Sequence, residues 1–236
     1  MRLFFLPLLF ATVATAAPLK FSSGETRTHL IELYSSEGCS SCPPAERWLG
    51  ELRDAPGLWR DFVPVAFHVS YWDRLGWPDR FAAKAYTDRQ YAYASQWRSE
   101  NVYTPEFVLD GEEWREHRLP PVASETAGVL SVEYTAEGKC RVAFPAVGDG
   151  EIHVALLGAG ISSEVRAGEN RGRTLQHDFV VLALQSARLL NGTVELSLPK
   201  SSGPGIPRHA LAVWVTRRGG FAPLQATGGW LDGAKP

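Results

Sequence analysis

Two cysteines separated by two serines, Cys39-Ser40-Ser41-Cys42, are the residues whose types and spacing point most directly to chemistry. A thiolate attacks disulfides and binds soft metals, and a second thiol nearby can resolve the mixed disulfide that results. Stapling accounts poorly for the pair: the loop is too short to remove much chain entropy, and three cysteines are too few for a disulfide scaffold. Cys39 is expected to be the nucleophile and Cys42, one turn further in and less exposed, the resolving thiol. The hydroxyls of Ser40 and Ser41 are placed to donate to sulfur, whereas a Glu37 carboxylate close by would oppose ionisation.

The flanking residues supply elements to hold this pair. Leu30 to Tyr34 reads as a buried strand, Ser35 to Ser41 as a turn, and Pro43-Pro44 as the opening of a helix, where a missing amide hydrogen costs nothing. Ala45, Trp48, Leu49 and Leu52 fall on one helical face, with Glu46, Arg47, Glu51 and Arg53 on the others. A thiol at a helix N-terminus meets unpaired amides and the positive end of the dipole, which favour thiolate. Val63 to Val69 reads as a second strand parallel to the first, delivering Ser70, Tyr71, Trp72 and Asp73 beside the cysteines. A helix is expected from about Asp79 to Trp97, with Phe81, Ala85, Tyr86 and Tyr93 inward. Pro105 then opens a strand that ends in an Asp110-Gly111 hairpin turn. On the residues alone, Thr104-Pro105 is as readily a trans proline on an edge strand as a cis one that positions a substrate.

From about residue 124 the pattern changes to short alternating runs between glycines. Ile152, Val154 and Leu156, then Val194, Leu196 and Leu198, then Leu211, Val213 and Val215 read as strands of an antiparallel sheet or small sandwich. Cys140 alternates with Val142 and Phe144 and is expected to be a buried apolar side chain. Asn191-Gly192-Thr193 reads as a hairpin turn rather than a glycosylation acceptor, and Gly168 to Arg173 as a polar loop or a basic contact surface.

Cys-x-x-Cys at the start of a helix, followed much later by Thr-Pro leading an apolar strand into a hairpin, resembles the thioredoxin fold. More closely, Ile31 to Glu46, Phe67 to Trp77 and Arg89-Gln90 resemble the exported, thioredoxin-like family catalogued as domain of unknown function 1223. The similarity is strong over residues 28 to 112 and weaker through Gly168 to Arg173. It implies a thioredoxin-like N-terminal domain, residues 26–118, which with the strand pattern of residues 124–236 gives the expectation of an α/β chain with a mostly antiparallel β domain at its C-terminal end. It also implies a redox site of Cys39, Cys42 and a cis Pro105, with Thr104 and the backbone before it pairing with a substrate strand. The chain lacks the Trp before the first cysteine and the Gly-Pro between the two that ordinary thioredoxins carry, so its potential is open.

Trp72 and Trp77 are either groove-lining or simply packed, and four of the eight tryptophans lie between residues 48 and 77. Asp73 is read as a cap on the turn before Gly76, with proton relay to Cys42 as the alternative, and His68 as a core histidine. Arg2, the apolar run Leu3 to Phe10 and Ala14-Thr15-Ala16 form a secretory leader over residues 1–17, too short to span a bilayer. The expected product is a periplasmic or secreted bacterial protein without stable membrane insertion. The near-neutral formal charge of −2 gives no sign of a nucleic-acid partner. These readings converge on an exported thiol-disulfide oxidoreductase, without cofactor or metal, acting on protein or small-molecule thiols. Two alternatives remain: copper binding by the cysteines with His68, and a non-catalytic binding module that keeps the disulfide.

Overall fold

The computed structural model describes residues 17–116, 118–199 and 205–232. The expected leader therefore lies almost wholly outside the described residues. The first half comprises β1 (Leu19–Ser22), β2 (His29–Ser35), α1 (Pro43–Glu51), β3 (Phe62–His68), α2 (Lys84–Trp97), β4 (Glu106–Leu109) and β5 (Glu112–Glu113). Every residue of β2 and β3 is buried, as a parallel pair covered on both faces requires. They run in parallel from His29 opposite Phe62 to Ser35 opposite His68, and β4 pairs antiparallel with the other edge of β2. Asp110 and Gly111, with φ of 52° and 93°, make the expected hairpin turn between β4 and β5.

Two helical expectations are corrected. Cys42 is the N-cap residue of α1 and the prolines fill its first turn, but the buried side chains are Ala45, Glu46 and Leu49, so Glu46 lies inside rather than on a solvated face. The second helix begins at Lys84, five residues later than expected. The cause is Asp79, whose buried carboxylate accepts from the amides of Glu37 and Phe81 at 2.8 and 2.9 Å and holds residues 79–83 out of helix. Phe81 is buried ahead of the helix, Tyr86 and Tyr93 are buried within it, and Ala85 is exposed.

The second half comprises β6 (Ser131–Tyr134), β7 (Lys139–Ala143), β8 (Asp149–Ala159), β9 (Ile161–Glu164), β10 (Thr174–His177), β11 (Val180–Leu190), β12 (Thr193–Ser197), β13 (Arg208–Thr216) and β14 (Pro223–Trp230). Twelve of the described strands form one sheet, in the order β1-β6-β7-β12-β11-β3-β2-β4-β5, with β8, β13 and β14 branching from β11; β9 and β10 form a separate hairpin. The architecture is mixed α/β, mostly sheet with few helices. The sheet passes from one half to the other where β1 pairs antiparallel with β6 and where β11 pairs in parallel with β3, at Val180 and Ala66. That contact is short, which leaves room for Pro64 in β3 although it has no amide to donate. Asn191 and Gly192, with φ of 52° and 74°, close the β11–β12 hairpin, and Cys140 is buried as expected.

Alternation in β8 and β13 serves two cores. Val154, Leu156, Leu211 and Val213 enter one formed within the second half. Their neighbours Ala155, Leu157, Ala212 and Trp214 enter the core that contains Leu30, Leu33, Val65 and Phe67. A buried ion pair lies in the same region: Arg89 of α2 donates to both carboxylate oxygens of Glu32 at 2.9 Å, and Tyr93 and Tyr34 donate to that carboxylate at 2.5 and 3.0 Å. The Arg89 guanidinium also lies over the rings of Phe67 and Trp214, so both halves enclose it. Among the described residues no helix is long and apolar enough to cross a membrane.

Candidate functional site

The cysteines meet in a disulfide with a Cα–Cα distance of 5.5 Å, closed by a turn in which the Cys42 amide donates to the Cys39 carbonyl at 3.3 Å. Thr104-Pro105 is a cis peptide. It abuts the pair: the Thr104 carbonyl oxygen lies 3.7 Å from Cys39 Sγ and accepts from the Ser41 hydroxyl at 3.3 Å. Ser41 Oγ is also 3.3 Å from Cys39 Sγ. Trp72, in the 3₁₀ turn after β3, donates from its indole to Thr104 Oγ1 at 2.8 Å. The same tryptophan packs on Gly38, where an added Cβ would stand 2.9 Å from Trp72 Cβ, so only glycine fits before Cys39.

Cys39 and Cys42 are both wholly buried, which corrects the expectation that Cys39 is the more exposed. Part of the reason lies in the second half of the chain, in the loop from Gly168 to Arg173. Asn170, itself fully buried, donates from Nδ2 to the carbonyls of Glu37 at 2.9 Å and Cys39 at 2.8 Å, and Arg173 fixes Asn170 Oδ1 at 2.8 Å. The Glu169 carboxylate accepts from the Ser40 amide at 3.0 Å and the Ser40 hydroxyl at 2.8 Å, bonds that lower its pKa. Ser40 therefore faces Glu169, and of the two serine hydroxyls Ser41 is the one beside sulfur.

A cluster of titratable side chains lies behind the turn. His177 of β10 contacts Glu46 through Nδ1, and its Nε2 is 3.2 Å from Glu37 Oε1, an ion-pair distance without hydrogen-bond alignment. Ser35 donates to the other oxygen of Glu46, and Trp77 donates to Glu37 Oε2 at 2.6 Å. His68 Nδ1 bonds Asp79 Oδ2 at 2.7 Å. Burial alone would lower the His177 pKa, but the carboxylates of Glu46 and Glu37 overcome it and raise it to about 10. Asp79 goes the other way: burial opposes its charge, yet His68 and the amides of Glu37 and Phe81 bring it down to about 2.

The structure brings Cys39, Cys42, Ser41, Thr104, Pro105 and Trp72 together. Trp77 and Glu37 lie in the cluster behind, with Glu37 held there by its indole partner. Asp73 closes the turn before Gly76 with its backbone carbonyl, which accepts from the Gly76 amide at 3.0 Å, while its carboxylate accepts from the Asp79 amide at 3.1 Å beyond that turn. His68 is the buried histidine expected, but its neighbours are Asp79, Glu46 and His177. Among the described residues the three-ligand grouping of Glu46, His68 and His177 contains neither cysteine. Sequence reasoning missed Glu46, Asp79, Glu169, Asn170 and His177. The polar run Gly168 to Arg173 was the one visible sign of them.

A crystal structure of a protein from Agrobacterium tumefaciens is similar to this chain with a TM-score of 0.65 and 24% identity, over 90% of this chain and 98% of that one. HBP35 of Porphyromonas gingivalis is similar with a TM-score of 0.56 and 12% identity, over 91% of this chain and 78% of that one. At these identities the likeness is one of fold. None of the curated proteins compared with the chain matches it. The model of the family described as protein of unknown function DUF1223 matches residues 30–216, most of the chain, and the protein belongs to that family.

Proposed function

We propose that this is an exported thiol-disulfide exchange protein whose first half is thioredoxin-like and whose reactive pair is Cys39–Cys42. The observation that carries the proposal is the Cys-x-x-Cys disulfide at the N-terminus of α1 with the carbonyl before a cis proline 3.7 Å from Cys39 Sγ. A substrate thiolate attacks Sγ of Cys39, the Cys39–Cys42 bond breaks, and Cys42 leaves as a thiolate stabilised by the helix amides. A second substrate thiolate then attacks the substrate sulfur of the mixed disulfide. The substrate is oxidised by two electrons and the pair is left as a dithiol; the reverse sequence reduces a substrate disulfide. Thr104 and Pro105 would align an extended substrate backbone, with Trp72 holding Thr104. The leader expected from the sequence over residues 1–17 supports a periplasmic or secreted location, where such a disulfide persists.

A second reading, a binding module that keeps its disulfide closed, draws on the burial of both sulfurs beside the 168–173 loop. Titration in glutathione buffers, with alkylation counting thiols, separates the two. A reversible two-electron transition confined to Cys39 and Cys42, lost in Cys39→Ser and trapped as mixed disulfide in Cys42→Ser, is the result expected. A pair that stays oxidised throughout supports the binding reading and overturns the exchange reading.

A further inference from the structure

We infer that the cluster behind the disulfide is a binding site for a divalent cation of the zinc class, held by His68, His177 and Glu46. One potential ligand atom from each lies within 4.8 Å of the other two, and all three residues are buried. The geometry of His68 is the first argument. Its Nδ1 is engaged by Asp79 Oδ2 at 2.7 Å, which leaves Nε2 as the only atom it can offer a ligand. That atom has no hydrogen-bond partner, on a residue with no exposed surface. A carboxylate bonded to one imidazole nitrogen while the other is left bare is how protein metal sites orient histidine ligands.

The second argument is the company that bare nitrogen keeps. His177 Nε2, Glu37 Oε1 and Ser163 Oγ are also buried without hydrogen-bond partners. The first two are 3.2 Å apart, and Ser163 lines the same surface groove as Glu37 and Trp77. Leaving the His68 nitrogen unpaired in the interior costs about 1–3 kcal/mol, a cost that a bound cation would remove. Two imidazole nitrogens and a carboxylate oxygen form the borderline donor set that suits zinc rather than Cu(I), whose preferred thiolates are here locked in the disulfide. Glu37 and Asp79 add negative charge around the site. Of the three ligands Glu46 also lines a groove between α1 and β10, with Arg47 and Thr174 among its neighbours there.

The ligands come from α1, from the end of β3 and from β10, so a bound ion would tie the helix that carries Cys42 to the second half of the chain. It would be a structural ion and take no part in sulfur exchange, which keeps this site independent of the proposed reaction.

The test uses the full mature chain with its disulfide intact, stripped with chelator and titrated with zinc chloride, and counts bound metal after desalting. One equivalent is expected, retained in the Cys39→Ser/Cys42→Ser double variant and lost in His68→Gln and Glu46→Gln. Asp79→Asn should weaken binding by about 10- to 100-fold through the orientation of His68. X-ray absorption at the zinc edge of the wild-type protein adds a readout that does not depend on variant folding. A first shell of nitrogen and oxygen alone at about 2.0–2.1 Å is expected. No bound zinc, a sulfur shell, or binding that disappears with the cysteines but survives His68→Gln and Glu46→Gln would overturn the proposal. None of these outcomes bears on whether Cys39 and Cys42 exchange disulfides.

Discussion

Glu106 follows the cis proline directly, and only 3% of its surface is exposed. Among the described residues its carboxylate accepts a hydrogen bond from Gln90, whose Nε2 reaches Glu106 Oε2 at 2.7 Å and the Tyr103 carbonyl at 2.8 Å. Burial raises the carboxyl pKa from an ordinary 4.5 to about 7; the Gln90 bond restrains the rise and Glu113 adds to it. A raised carboxyl pKa means that the folded chain holds this proton more tightly than the unfolded chain does. Its contribution is therefore most favourable below the ordinary pKa, declines as pH climbs from there to about 7, and is level above that. At about 1.4 kcal/mol for each pH unit, the buried charge costs about 3 kcal/mol once fully ionised. Glu106→Gln removes the charge and keeps an acceptor for Gln90. Urea unfolding of parent and variant across pH should give curves that coincide in acid and separate to about 3 kcal/mol in favour of the variant in mild alkali. Taking the difference cancels every other titrating group common to the two proteins. A difference that does not change with pH would refute the reasoning.

Arg89→Met should destabilise the fold by about 3–5 kcal/mol, because it leaves the Glu32 carboxylate buried beside two tyrosine hydroxyls without its cation. Adding Glu32→Gln should recover part of that loss, and a single-variant loss below about 1 kcal/mol in urea would contradict the account. Asn170→Ala removes two bonds to carbonyls of the cysteine turn, easing its opening by about 1–2 kcal/mol. Reduction of the native disulfide by a small thiol should accelerate roughly tenfold, and an unchanged rate would show that the loop does not control access.

What could be read from the sequence was local. Cys42 followed by two prolines specifies a helix start, and Asp110-Gly111 and Asn191-Gly192 specify turns, because each depends on the backbone preferences of adjacent residues. The strands of the second half followed from alternation, although alternation does not reveal that the alternate faces of β8 and β13 are both buried. Glu46 and Asp79 were misplaced for a shared reason. A carboxylate in an amphipathic pattern reads as solvated unless its partners are known, and these partners, His177 and His68, lie 131 and 11 residues away in sequence. Asn170 was beyond reach in the same way, since its two acceptors are backbone carbonyls and carry no residue identity.

Those long-range contacts change how the cysteine turn works in the proposed exchange. A helix N-terminus favours thiolate through its free amides, but here the Ser40 amide is already bonded to the Glu169 carboxylate, and a negative charge beside the turn opposes a second one on sulfur. In the proposed exchange the loop that binds the cysteine turn would therefore also weaken the nucleophile beside it. Displacing it would expose Cys39 and free the Ser40 amide in a single step, so access and reactivity are coupled through Glu169 and Asn170. Both residues belong to the second half of the chain, which in the proposed exchange would give that half a direct part in setting when the pair reacts.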